Sequence, residues 1–148
     1  MSERLFNKEF GYSEKAGIDQ LRKSQLEFGY TIPSDYVYIL LKFGKIYFDF
    51  IATVKFQEKK YDFYEFYGLE LIEWQLRHTR NEADILSTRF WLDSFLCIGQ
   101  VVSKHILIGN TVGSLNKIYF FDNEETHIDY VSDSIFDFIN YNIEEVRV

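Results

Sequence analysis

Few side chains in this sequence have the types and spacing for acid–base, nucleophilic or metal chemistry. His78 and Glu82 lie four residues apart in a stretch with helical periodicity, so both could turn toward one metal ion. No third ligand stands near them, and the pair reads as exposed polar surface. His105 opens an apolar run and His127 lies in "NEETHID", neither beside a nucleophile in a recognisable setting. Cys97, the single cysteine, sits inside "FLCIG" with no base nearby in sequence, as a buried structural thiol would. The acidic run at 122–129 has the composition of a calcium loop but lacks its alternating ligands, central glycine and final glutamate. There is no phosphate loop, dinucleotide fingerprint or nucleophile elbow. These observations predict a chain with no catalytic residue, no metal site and no cofactor.

Charge and aromaticity point instead to a binding surface. The chain carries 23 acids against 16 bases, a net charge of −7, and residues 118–146 hold no Lys or Arg at all. Such a surface repels phosphate backbones, which argues against nucleic acid as a partner, and attracts basic proteins. The 15 Phe, 11 Tyr and 2 Trp make up 19% of the chain, more than a core alone requires, so some tyrosines are expected at half-wet surfaces. The stretch "YDFYEFY" at 61–67, read as a strand, places Tyr61, Phe63, Glu65 and Tyr67 on one side and Asp62, Tyr64 and Phe66 on the other. The candidate partner-binding residues are therefore Tyr61 and Tyr64 for contact area, and Asp62, Glu65, Asp122, Glu124, Glu125 and Asp129 for charge. The competing reading is a strand covered on both faces and an acidic surface that serves solubility.

The elements that must position these residues follow from pattern and punctuation. A length of 148 residues, 47% hydrophobic and 26% charged, without Pro-, Gly- or Ser-rich linkers, suggests one globular domain spanning 1–148. A lone cysteine rules out an internal disulfide and fits the cytoplasm. Neither a signal peptide nor an apolar run long enough to span a membrane is apparent. Helical spacing of Ile18, Leu21 and Phe28 suggests a helix over 13–28 capped by Gly29. Pro33 then opens a second helix, capped by Ser34 or Asp35, with Tyr36, Ile39, Leu40 and Phe43 on one face as far as Gly44. Strands are expected at 45–56, 61–66, 95–99, 105–109 and 117–122, with a third helix over about 69–87. A closing helix would start from Ser132 and bury Ile135, Phe136, Ile139 and Ile143. The expected class is α+β: two N-terminal helices, a mainly antiparallel sheet interrupted by one helix, and a C-terminal helix packed on the sheet.

Several of these segments resemble the SUKH superfamily. Leu21, Gln25, Phe28, Gly29, Ile32, Pro33, Asp35, Tyr36, Leu40, Leu41, Lys42 and Phe43 match its N-terminal signature of a helix ending "LG", then "LP", one residue, "DY" and a leucine pair. "LCIG" at 96–99 resembles its apolar "IG" strand, "KIYFFD" at 117–122 its "VYYWD" strand, and "VSDSIFDFI" at 131–139 its closing helix. Gly44 and Lys45 stand where the family usually has "NG", and Gln25 where it commonly has Glu. The family pattern contains no catalytic set.

The resemblance implies a non-enzymatic immunity protein that binds a cognate toxin of a bacterial polymorphic toxin system and blocks it. Many such toxins are nucleases, whose surfaces are basic, so the acidic balance of this chain agrees with that partner. The alternative it implies is a regulatory adaptor like the yeast regulators of cell-wall glucan synthesis. A small-molecule pocket between sheet and helices, lined by tyrosines and Trp91, would be a third possibility.

Overall fold

The computed structural model describes residues 6, 10–48, 51–80, 94–122 and 127–145, with the side chains of all of these except 78–80 and 145. In chain order the elements are β1 (Gly11–Ser13), α1 (Ile18–Phe28), α2 (Ser34–Lys42), β2 (Lys45–Tyr47), β3 (Ala52–Phe56), β4 (Lys59–Phe66) and α3 (Leu69–Arg80). They continue with β5 (Phe95–Val101), β6 (Lys104–Gly109), β7 (Ile118–Asp122), β8 (His127–Ser132), α4 (Ile135–Asp137) with a π-helical turn (Phe138–Asn142), and β9 (Ile143–Glu145). The class is α+β, with every strand pair antiparallel in the order β1-β2-β4-β5-β6-β7-β8. Strand β4 is shared: its first half pairs with β3, which in turn pairs with β9, and Phe66 at its end pairs with Ile46 of β2.

The helices bury their apolar stripes on one face of this sheet. Leu21 and Phe28 of α1, Ile39 and Leu40 of α2, and Ile72 and Leu76 of α3 join Phe66, Ile98, Ile106 and Phe120 from the strands in one core. The closing segment joins it through Phe138, whose ring meets Phe66 at 5.9 Å and Phe120 at 6.0 Å, edge to face. Leu107 and Phe121 are buried on the opposite face with Phe95, Cys97, Tyr119 and Ile128 around them. Period-2 alternation sends β6 and β7 side chains into both layers.

Pro33 separates the two N-terminal helices as expected, and Gly29 ends the first in the left-handed conformation, φ 67°. Neither Ser34 nor Asp35 caps α2 with its own side chain. The cap comes from Asn116, distant in sequence: its Oδ1 accepts the Asp35 N–H at 3.0 Å and its Nδ2 donates to Ser34 Oγ at 3.1 Å. Asn110, at the other end of the same loop, donates to Thr31 O at 2.7 Å, while Gln25 Oε1 accepts the Ile32 N–H at 2.9 Å. The Gln25 side-chain Nε2 also donates to Leu21 O at 3.1 Å, a bond that a carboxylate cannot make.

Tyr36 fastens α2 to the sheet. The residue is fully buried, and its hydroxyl lies within hydrogen-bonding distance of Tyr67 O, just past β4, and of Ile98 O at 3.2 Å. Ile98 is the extra residue of a bulge in β5, between Cys97 and Gly99. The next residue has to be glycine: a Cβ on Gly99 would stand 2.7 Å from Glu65 O of the paired strand.

Several boundaries differ from the sequence expectations, each for a local reason. The first helix begins at Ile18 rather than at 13, and Ser13 instead ends a strand, β1, that pairs with β2. The 45–56 run is two strands, β2 and β3. Gln57 and Glu58 make the β3–β4 turn with positive φ of 52° and 65°, left-handed backbone of the kind tight hairpins use, without the glycine that would have marked it. Residues 127–132, which include the end of the acidic run, form β8, a strand concealed by its charges, so Ser132 ends a strand. Ser134 caps the closing helix instead, accepting the Asp137 N–H at 3.1 Å. Ile143, expected on that helix, pairs with Val54 in β9. The third helix is described through Arg80, and the residues expected to extend it to 87 lie outside the described residues.

Tyr36→Phe removes the donor shared by two buried carbonyls and should lower unfolding free energy by about 1–3 kcal/mol, with Asn116→Ala costing about 1 kcal/mol through the lost cap. Urea denaturation measures both, and midpoints equal to the parent chain would show that neither contact ties α2 down.

Candidate partner-binding surface

Strand β4 does not present the two simple faces that alternation suggests. The register between β4 and β5 shifts between Phe63 and Glu65, so Tyr64 is the extra residue. Phe63 and Phe66 then lie on the same core side, ring centroids 5.0 Å apart, and Tyr67 is buried. Tyr64 is turned out and 55% exposed, Asp62 is exposed, and Tyr61 and Glu65 are half-buried.

The fold gathers part of the candidate set at one end of the sheet. Lys104, at the start of β6, reaches across to β7 and pairs with Asp122 at 3.4 Å, both side chains largely buried. The same ammonium lies 5.5 Å from the centre of the Tyr61 ring, which meets Phe120 edge to face at 6.0 Å. Asp122 is directly opposite His127 on β8, and Asp129, two residues on along the same face, pairs with His127 at 3.0 Å. The backbone of Asp62 joins this end through its carbonyl, which accepts the Val102 N–H at 2.8 Å. Glu65 stands apart, in a 3.0 Å ion pair with Lys45 of β2 that raises the Lys45 pKa. Glu124 and Glu125 lie outside the described residues.

Two acids of the set, Asp122 and Glu65, are thus engaged by lysines of the chain itself. Asp62, with Tyr64, is the more open part of the surface. Sequence reasoning overlooked Lys104 because Asp122 and Tyr61 become its neighbours only across strands. It also overlooked Tyr130, 50% exposed on β8, whose hydroxyl bonds Asp133 and whose ring meets Tyr119 at 6.0 Å. The β-prone isoleucine, tyrosine and valine of "HIDYVS" were the available signal for that strand.

The chemistry-bearing residues separate in space. Cys97 does have a cross-strand histidine, with His105 Nδ1 3.9 Å from its sulfur, but burial pushes the thiol up to about 12. At neutral pH that sulfur is protonated, the reverse of an activated nucleophile. His78 lies in α3, while Glu82 and Trp91 fall outside the described residues. Among the described residues, no three His, Cys, Asp or Glu side chains converge on a point that could hold a metal ion, and no helix is long and apolar enough to cross a membrane.

The signature residues of the N-terminal helices thus serve as turn, cap and anchor: Gly29, Pro33 and Tyr36 shape the fold. The SMI1 / KNR4 family (SUKH-1) matches residues 15–141. The chain belongs to this family. The match runs from the entry to α1 into the π-helical turn, so it includes the sheet end that carries Tyr61, Asp122 and Asp129. No curated protein matches the chain. For a member of the SUKH-1 family, protein–protein interaction is the activity that the match supports.

Burial also sets a pH dependence. The Cys97 thiol and the Tyr30 hydroxyl are both held up at about 12 in the folded chain, against ordinary values of 9.0 and 10.0. Above pH 9 the unfolded chain therefore binds fewer protons than the folded one, and the stability these groups contribute, fully present below that pH, is lost as pH rises toward 12. Denaturation midpoints measured from neutral to strongly alkaline pH should fall over that window. Cys97 is half-buried, and its alkylation by iodoacetamide should be at least about 100-fold slower in the folded chain than in urea; equal rates would contradict the raised pKa.

Proposed function

We propose that the chain is a single binding domain that acts without catalysis, as a cytoplasmic immunity protein that neutralises the cognate toxin domain of a bacterial polymorphic toxin system. Family membership across residues 15–141 is the observation that carries this reading. The net charge of −7, with no Lys or Arg in residues 118–146, supports a basic target such as a nuclease domain. Tyr61 and Tyr64 supply contact area, and Asp62, Glu65, Asp122, Glu124, Glu125 and Asp129 supply the field that speeds encounter. Because Glu65 and Asp122 already have lysine partners at 3.0 and 3.4 Å, a basic partner would gain more from the exposed Asp62 than from either of them.

A regulatory adaptor is the second reading, favoured by the family description, which takes in the SMI1 and KNR4 type. Affinity capture from the host lysate at low and then moderate salt separates the two. A basic toxin domain retained at low salt and weakened by added salt supports the immunity reading, and a housekeeping assembly alone supports the adaptor. With the toxin in hand, the fourfold variant Asp62→Lys, Glu124→Lys, Glu125→Lys and Asp129→Lys should slow association by at least about tenfold at low salt and flatten its salt dependence. An unchanged association rate would remove these four residues from the interface.

A further inference from the structure

A cleft away from this sheet end has a different chemistry. Strand β1 ends at Ser13, and Glu14 turns into the left-handed region at φ 65°, which lays its carboxylate over the start of α3. A Cβ added at Gly68 would be 3.2 Å from Glu14 Oε2. Between this connection and α3 lies a cavity of about 330 Å³ bounded by Glu14, Lys45, Gly68, Glu70, Leu71 and Trp74. A second cavity of about 380 Å³ adjoins it, sharing Glu14 and Glu70 and adding Glu73 and Gln20 to the wall. Both fall in the size range of ordinary ligand pockets.

The charges here are unbalanced in one direction. Lys45 is engaged by Glu65 at 3.0 Å, and Lys15 lies over the Tyr12 ring at 5.7 Å. Among the described residues, Glu14, Glu70 and Glu73 form no ion pair. The carboxylates do not converge on one point, as a metal ion would need. They are spread around a flat apolar wall of Leu71 and Trp74, the indole being 51% exposed. Separated carboxylates beside an aromatic face suit an extended, delocalised cation with an apolar stem. A guanidinium stacks on an indole and pairs with carboxylates through its fork of N–H donors, which a compact ammonium does less well.

We infer that this cleft receives an arginine side chain of the protein partner, stacked on Trp74 and paired with Glu14 and Glu70. The inference rests on the reading of the chain as a binding domain for a basic protein. It adds a second contact to that reading, on the helix side of the molecule rather than at the β4–β8 end.

The probe is a blocked tripeptide, acetyl-Gly-Arg-Gly-amide, titrated into the 15N-labelled full chain and followed by amide and indole N–H shifts. Saturable shifts at residues 14 and 68–74, including the Trp74 indole, are the expected result. The citrulline analogue, equal in shape but neutral, should bind at least about fivefold more weakly, and Glu14→Gln with Glu70→Gln should reduce arginine binding by a similar factor. Equal responses to arginine and citrulline peptides, or no saturable shift, would overturn the inference without the use of any variant. Free L-arginine binding as tightly as the blocked peptide would also overturn it, since the cleft would then suit a metabolite. Toxin capture and the Lys variants of the sheet end are read independently, so either proposal can fail without the other.

Discussion

The Tyr36 hydroxyl, buried between two main-chain carbonyls, is the constraint on which the arrangement of this protein depends. It joins the second helix to the end of β4 and to the bulge of β5, and a buried phenol without such partners would be costly. With α2 held there, the linker behind Pro33 is clamped from two sides. Gln25 binds it from α1, and Asn110 and Asn116 bind it from the β6–β7 loop. Glycine at position 99 follows from the same junction, because β4 and β5 approach too closely for any Cβ. Residues that look like a linear signature are thus the components of one junction between helix and sheet.

That junction determines which acids are available to a partner. Its two bulges turn Tyr64 outward and bring Phe63 and Phe66 inward together, so β4 offers an irregular edge rather than an alternating face. Cross-strand pairing commits Asp122 to Lys104 and Glu65 to Lys45. A charge that satisfies a half-buried lysine contributes less to an encounter field than one in open solvent, so an acidic composition overstates the acidic surface. The cleft at α3 is the complementary case, where acids distant in sequence share a wall and form no ion pair among the described residues.

Much of the frame was legible in the chain. Gly29 and Pro33 delimit the first two helices through backbone conformation, which is a property of the residue itself. Apolar runs around Cys97, Ile106 and Phe120 marked buried central strands, and the α+β class followed from their order. Strand β8 was concealed by the charges of "HIDYVS", and β9 is a strand because it finds an edge at β3. The Gln57–Glu58 turn is imposed by the hairpin against the preference of both residues for negative φ.

The sequence by itself therefore determined the helix boundaries at glycine and proline, the apolar core strands, the acidic balance and the family signature, because each is carried by residues close together in the chain. Only the tertiary structure decided that Asn116 caps α2, that Lys104 and Lys45 engage two of the candidate acids, and that Glu14 meets the start of α3. Those contacts join segments whose separation along the chain leaves no periodic trace, and strand register and bulges set their distances.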